Sequence, residues 1–185
     1  ELGMFASSSD AKQMSSLLKD SKVNVTLTGN NYYPVFAPNV AIAPFNNKNA
    51  RLAVAYAFDQ TAYFNARNCV KKTCFGEVRE SIVGKQNIMY NTAGAIKFDL
   101  AKAKKAVADY KTETGKDLSF TVQVAIGDDG GLANTKYLVQ MLEKAGIKVA
   151  INQSYTSAEL VTKVYPGLAD VAAGKLNPFE FNTIN

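Results

Sequence analysis

The apolar residues of this chain recur at two spacings, one typical of strands and the other of helices. Residues 120–126 alternate apolar and polar side chains, and residues 147–151 repeat the alternation, so both segments predict strands. Between them, residues 138–145 place apolar side chains on one helix face, and Gly146 provides a helix end. A strand, a helix and a strand in this order predict a right-handed βαβ unit with parallel strands.

A second apolar stretch, residues 50–58, is interrupted only by Arg51. An apolar helix without a polar face is typical of the interior of a globular protein, where it packs on more than one side. Asn46 or Asn47 can accept a hydrogen bond from the first N–H groups of such a helix. We therefore predict a central buried helix that begins near these residues and ends near Arg67.

The remaining pattern predicts further elements on both sides of this helix, separated by turn residues. Gly84 and Gly94 mark residues 76–95 as irregular. The other predicted elements are a connector or strand at residues 1–8, a helix from residues 8–10 to Lys19, a strand at 23–28, interrupted extended segments at 32–43, a helix capped by Asp99 that ends near Lys111, a short helix that begins at Thr156 or Ser157, and a strand at 169–173.

Composition and charge argue against several classes of function. The chain has 185 residues, a net charge of +5 and no histidine, so the commonest general base and a common metal ligand are missing. Its lysines do not alternate with aromatic residues along one face, as nucleic-acid binding requires. We predict one α/β domain that is not an enzyme, with no catalytic residue, metal, cofactor or nucleic-acid partner.

The pair Asp128–Asp129 precedes the helix whose apolar face is formed by residues 138–145, and exposed N–H groups at a helix start can hold an anion. Two aspartates already supply negative charge at that position. We therefore predict that they cap the helix and do not form a phosphate site.

Two cysteines, Cys69 and Cys74, lie in a polar loop with four residues between them. This spacing lets the chain turn back far enough for a disulfide, which would indicate an oxidising compartment. Two inert thiols are the alternative. A metal site would need further ligands, and a catalytic thiol has no imidazole to activate it.

Several ordered segments of the chain carry a family pattern. The first matches it at Asn39, Pro44, Phe45, Arg51, Ala53, Tyr56, Ala57 and Asp59. Residues 98–104, 144–149 and 170–174 follow with three later matches. Together they resemble the family 5 extracellular solute-binding proteins, which deliver peptides, nickel and related ligands to ABC importers. The chain departs from the pattern at Asn47, where an acid is common, and at Phe58, where isoleucine is usual.

The resemblance implies an α/β fold of the type II periplasmic-binding-protein kind, with a mixed sheet flanked by helices. Family members have two lobes, and residues 1–185 would form the C-terminal one, with residues 1–8 and 169–174 as strands near the hinge. The implied function is capture of a peptide or other small solute outside the cytoplasm, in the periplasm or on a lipid anchor at the cell surface. The implied partners are the ligand, the N-terminal lobe and an ABC permease, and the signal sequence would lie outside this fragment.

The candidate site residues follow from this reading. We predict that Arg51, Asp59 and Asp99 are structural, with Arg51 paired to a buried acid. The alternative for Arg51 is that it binds a carboxylate of the ligand. Peptide-binding members place an acid shortly after the glycine that matches Gly174 and an arginine before it, and this chain lacks both. A free peptide held at both ends is therefore not expected, nor is nickel held by a histidine. The predicted ligand-binding residues are Ser8, Ser9, Asn39, Lys175, Asn177 and Phe179.

A second hypothesis is a free-standing extracellular α/β interaction domain that uses the aromatic segment Tyr32–Phe36. The parent reading frame distinguishes the two hypotheses. A secretion or lipoprotein signal together with another lobe favours the solute-binding protein, and a different flanking domain favours the interaction domain.

Overall fold

The computed structural model describes residues 11–25, 35–78, 80–81, 83–85, 87–160, 162 and 181–184. The chain divides into two compact units, one formed by Glu1–Tyr33 with Gln60–Ala95 and the other by Pro34–Asp59 with Ile96–Asn185. The described elements are α1 (Ala11–Leu17), β1 (Val35–Pro38), α2 (Lys48–Ala57), α3 (Gln60–Asn68), β2 (Cys69–Val70), β3 (Thr73–Cys74), α4 (Leu100–Thr114), β4 (Ser119–Ala125), α5 (Asp129–Lys144), β5 (Lys148–Tyr155), α6 (Ser157–Glu159) and β6 (Phe181–Ile184).

The second unit contains a four-stranded mixed sheet in the order β1-β6-β4-β5. β4 lies parallel to both β5 and β6, whereas β1 is antiparallel to β6. β4 and β5 keep one register from the pair Ser119 and Lys148 to the pair Gln123 and Asn152, and it shifts before Ala125. The predicted strand, helix and parallel strand are therefore confirmed, and the right hand of their connection stays a prediction.

Small side chains bring the helices of this unit close together and against the sheet. Ala50, Ala53 and Ala57 of α2 are fully buried, and so is Ala103 of α4. These residues join Leu138 and Leu142 of α5 and the apolar side chains of β4 in one core cluster. Alanine has no side-chain heavy atoms beyond Cβ, so the backbones of α2 and α4 can approach closely.

The predicted central helix is in fact two helices. α2 begins after Asn47, whose Oδ1 accepts the N–H groups of Asn49 and Ala50 at 2.7 and 3.4 Å, so that cap is confirmed. The helix ends at Ala57 because Phe58 has an extended backbone, with φ −82° and ψ 104°. The prediction of one helix to Arg67 is wrong, since unbroken apolar periodicity gives no sign of this local change.

Two other boundaries differ from the predictions. Val23–Val25 form no strand, so that prediction is wrong there; the rest of the predicted strand lies outside the described residues. Val23 instead donates its N–H to the carbonyl of Asp20 at 3.1 Å in a turn. α4 runs three residues past Lys111 to Thr114 and ends at Gly115, whose left-handed φ of 70° suits glycine.

The first unit contains a short hairpin that is closed by a covalent link. β2 and β3 pair antiparallel, with Cys69 opposite Cys74, and the two cysteines form a disulfide, as predicted. Lys71 takes a left-handed φ of 56° in the turn between them. The described part of residues 76–95 contains neither helix nor strand, as predicted. The predicted hinge strands at residues 1–8 and 169–174 lie outside the described residues.

Candidate functional site

The carboxyl ends of β4 and β5 lie side by side and form the candidate site. Ile126, directly after β4, donates its N–H to the carbonyl of Tyr155, the last residue of β5, at 2.8 Å. The Ile126 side chain is 53% exposed, although it follows four buried residues. In open α/β sheets, ligands bind in the crevice outside the carboxyl ends of parallel strands. We therefore take this edge, formed by residues 126–129 and 155–160, as the carboxyl-edge site.

The turn after β4 is fixed by glycine and aspartate. Gly127 has a left-handed φ of 79°. Asp128 caps α5 by accepting the N–H of Gly131 at 2.8 Å, which confirms the predicted capping role. A Cβ atom at Gly131 would collide with the Asp128 carboxylate, so only glycine permits this close approach. The Asp128 side chain is thus engaged within the protein.

The turn after β5 carries a reciprocal cap. Thr156 Oγ1 accepts the N–H of Glu159 at 3.3 Å, and Glu159 Oε2 accepts the N–H of Thr156 at 3.0 Å. This confirms the predicted helix start, and α6 covers Ser157–Glu159. Leu160 then packs on Ala125 beside the half-buried Tyr155 in a small second cluster. Both turns of the carboxyl-edge site are therefore pinned by hydrogen bonds and packing.

The charged side chains of residues 126–129 and 155–160, which form the carboxyl-edge site, are all negative. Its ionisable side chains other than Tyr155 are the carboxylates of Asp128, Asp129 and Glu159. Asp128 and Glu159 act as caps, and Asp129 is exposed in the first turn of α5. A negative edge opposes a negatively charged ligand and suits a neutral or positively charged one.

Of the predicted ligand-binding residues, only Asn39 belongs to the described part of the chain; Ser8, Ser9, Lys175, Asn177 and Phe179 lie outside it. Asn39 is 6% exposed, and its Oδ1 accepts the N–H of Ala41 at 3.1 Å. Because β1 runs against β6, Asn39 follows the end of β1 that lies toward the amino ends of β4 and β5. The structure therefore does not bring Asn39 to the carboxyl-edge site.

The predicted structural residues have these environments. Arg51 is half-buried, and its Nη1 donates to the backbone carbonyl of Phe45 at 2.6 Å. Within the described part of the chain Arg51 forms no ion pair, so the expected acid partner is corrected to a carbonyl. Asp99 caps α4 through Lys102 N–H at 2.9 Å, and that hydrogen bond lowers its pKa. Asp59 is half-buried and follows the end of α2 in the chain.

The sequence analysis did not predict the carboxyl-edge site as a ligand site. It singled out two of its residues, Asp128 and Asp129, but as helix caps. The signal was present, because the predicted βαβ unit already implied two neighbouring carboxyl ends. An open depression of ≈ 660 Å³ lies at the opposite, amino ends of β4 and β5, beside Ser119 and Lys148. Its position is the wrong one for ligand binding to a parallel sheet, so we do not assign it a role.

Among the described residues, no three histidine, cysteine, aspartate or glutamate side chains are grouped closely enough to hold a metal ion. The helices that the structure describes include none with the length and apolar character of a membrane span.

Comparison with known proteins identifies the family. A family model described as bacterial extracellular solute-binding proteins, family 5 Middle, matches residues 3–181. The chain belongs to this family. The resemblance inferred from residues 39–59 and the later segments is thereby confirmed, and the family is one of non-enzymatic solute-binding proteins that lie outside the cytoplasm. A comparison with curated protein sequences gave no match.

Solved structures share the fold at low sequence identity. AgaA from A. tumefaciens R10, in complex with agropinic acid, aligns with a TM-score of 0.66 and 22% identity over 95% of this chain and 33% of its own. NikZ from Campylobacter jejuni, in complex with Ni(L-His), aligns with a TM-score of 0.61 and 14% identity over 95% of this chain and 34% of its own. The oligopeptide-binding protein AppA from Bacillus subtilis, in complex with a nonapeptide, aligns with a TM-score of 0.58 and 20% identity over 95% of this chain and 38% of its own.

These alignments confirm the predicted α/β fold of the periplasmic-binding-protein kind. The chain spans about a third of the length of the structures that it matches.

Proposed function

We propose that this family 5 chain is the ligand-capturing C-terminal lobe of an ABC-importer substrate-binding protein. The observation that carries the proposal is the family match over residues 3–181. In this proposal residues 1–185 form one lobe, and residues 1–8 and 169–174 connect it to the N-terminal lobe as hinge strands. Closure of the two lobes captures the solute outside the cytoplasm and presents it to an ABC permease, without chemical change to the solute.

The carboxyl-edge site is the wall of the cleft in this proposal. Its two turns are pinned by the Asp128 cap and by the Thr156–Glu159 capping box, so the wall is preformed before ligand arrives. A preformed wall loses little conformational entropy on binding. The exposed Ile126 side chain offers apolar surface at the centre of this edge. Ser8, Ser9, Lys175, Asn177 and Phe179 stay proposed ligand contacts, whereas the buried and hydrogen-bonded Asn39 is better suited to hold its turn.

The carboxylates of the edge narrow the class of solute. Agropinic acid, Ni(L-His) and a nonapeptide are bound by the three relatives, so membership of the family alone does not select a ligand. Asp128, Asp129 and Glu159 disfavour an anion, and the acid that would bind a peptide amino terminus after Gly174 is missing. We therefore infer a small neutral or positively charged solute.

A thermal-shift screen of the full-length protein tests this proposal with maltotriose, trialanine, spermidine and citrate as probes. We expect a higher melting temperature with a neutral or positively charged probe and no change with citrate, because ligand binding stabilises the folded state. No shift with any solute in this or a broader panel would contradict the proposal.

A charge-reversal pair tests the location of the site. Asp129→Lys adds positive charge at the carboxyl-edge site, whereas Glu143→Lys makes the same change near the far end of α5. We expect Asp129→Lys to weaken binding of a positively charged solute about two- to fivefold by calorimetry, and Glu143→Lys to leave it unchanged. Equal effects of the two variants would place the site elsewhere.

A further inference from the structure

The two faces of β4 bury different kinds of side chain. Phe120, Val122 and Val124 face the helices and belong to the main core cluster. Successive side chains of a strand point to opposite faces, so Gln123 faces away from α2, α4 and α5. On that same face Ala125 packs against Leu160. The face that carries Gln123 therefore ends at the carboxyl-edge site.

Gln123 is 7% exposed, and its Oε1 has no hydrogen-bond partner among the described residues. A buried carbonyl oxygen without a partner loses its hydrogen bonds to water and gains nothing in return. Side chains in this situation are rare in folded proteins, and each one calls for a donor. The donor for Gln123 Oε1 therefore lies outside the described residues.

The neighbouring strand offers a second carboxamide in the same row. Asn152 of β5 is the register partner of Gln123, and partners in parallel strands point to the same face. Asn152 is half-buried, and its Oδ1 accepts the hydroxyl of Ser154. Because Oδ1 is the acceptor in this contact, the NH2 group is the remaining donor of the Asn152 amide, on a strand about 4.8 Å from β4.

We propose that Gln123 and Asn152 form an uncharged hydrogen-bonding subsite for the solute bound at the carboxyl-edge site. The subsite takes a neutral group that both donates and accepts hydrogen bonds, such as a hydroxyl or an amide, and Gln123 Oε1 accepts its proton. This inference rests on the proposed solute-binding function and names the part of the solute that reaches furthest into the fold.

The first test uses the ligand-free full-length protein. Gln123→Leu keeps a similar side-chain size and removes the unpartnered oxygen, so we expect the melting temperature to rise by about 2–4 °C. Gln140→Leu makes the same change at an exposed position of α5 and should leave the melting temperature unchanged. A lower melting temperature for Gln123→Leu would show that the protein itself supplies the donor, and this result would overturn the inference.

The second test measures binding by calorimetry with three probes: maltotriose, N-acetyl-trialanine amide and glycine betaine, which has no N–H or O–H donor. We expect Gln123→Leu to weaken the binding of a probe with an N–H or O–H donor about 3- to 10-fold and to leave the binding of glycine betaine unchanged. Unchanged affinity for the donor-bearing probes would overturn the subsite while wild-type binding still supports the proposed function. If the wild type binds none of the probes, the proposed solute class fails, and the subsite fails with it.

Discussion

Substitution of Ala53 by leucine tests whether the helices of the second unit are packed through their alanine faces. Ala53 is fully buried at the centre of α2, with Ala50 and Ala57 on the same face and Ala103 of α4 in the same cluster. Leucine adds three carbon atoms at this fully buried position. Overpacking of this kind typically destabilises a core by about 1–3 kcal/mol, because side chains leave their preferred rotamers and the backbones move apart.

For a domain of this size, that free energy corresponds to a fall in melting temperature of about 2–12 °C. The measurement is urea unfolding followed by far-UV circular dichroism, in which the midpoint should fall while the denaturant dependence stays constant. The matched control is Ala101→Leu, which makes the same change at an exposed position of α4 and should alter the free energy of unfolding by less than about 0.5 kcal/mol. Unchanged or greater stability of Ala53→Leu would refute close packing, since a leucine with enough space gains stability from burial.

Three further predictions concern the hydrogen bond of Arg51, the disulfide in the first unit and the ion pairs of Asp117. Arg51→Ala removes the donor to the Phe45 carbonyl and should destabilise the fold by about 1–3 kcal/mol without a loss of solute affinity; weaker binding at an unchanged melting temperature would reverse this assignment. The change of Cys69 and Cys74 to serine removes a short covalent loop and should cost up to about 2 kcal/mol by the chain-entropy relation, and mass spectrometry of secreted wild-type protein should show no free thiol. Hydrogen bonds from Lys148 and then Lys111 lower the pKa of Asp117 from 3.8 to about 2, so the stability that this ionised carboxylate adds is complete above pH 3.8 and is lost as the pH falls toward 2. The difference in melting temperature between wild type and Asp117→Asn should therefore shrink across that interval, and a constant difference would contradict the assignment.

Local signals explain why the β4–α5–β5 unit could be predicted from the sequence. Alternation in both strands, an apolar helix face and a terminal glycine all indicate the same structure, and such agreement specifies a fold strongly. The break between α2 and α3 could not be predicted in the same way, because residues 52–58 stay apolar through Phe58. The pairing of β1 with β6 joins residues more than a hundred positions apart, and neither strand carries a local signal for its partner.

The hydrogen-bond partner of Arg51 is a second feature that could not be predicted from the sequence. The sequence indicates that an arginine within an apolar helix needs a hydrogen-bond acceptor, but backbone carbonyls are present at every position and leave no mark in the residue pattern. The structure selects the Phe45 carbonyl, close to the start of the same helix. The acceptor for Arg51 is therefore a group that the residue pattern does not distinguish.

Gln123 shows how the same pattern can identify an element and still give a wrong environment. Alternation at residues 120–126 indicates a strand with one face in water, and Gln123 falls on the polar face. β4 is instead an inner strand, paired on both sides, and Gln123 is buried. Inner parallel strands are usually apolar on both faces, because both are covered. A carboxamide in such a position costs stability unless it is used, and departures of this kind concentrate at functional sites. In the proposed subsite, the residue that breaks the pattern of a buried strand is therefore also the one that contacts the solute.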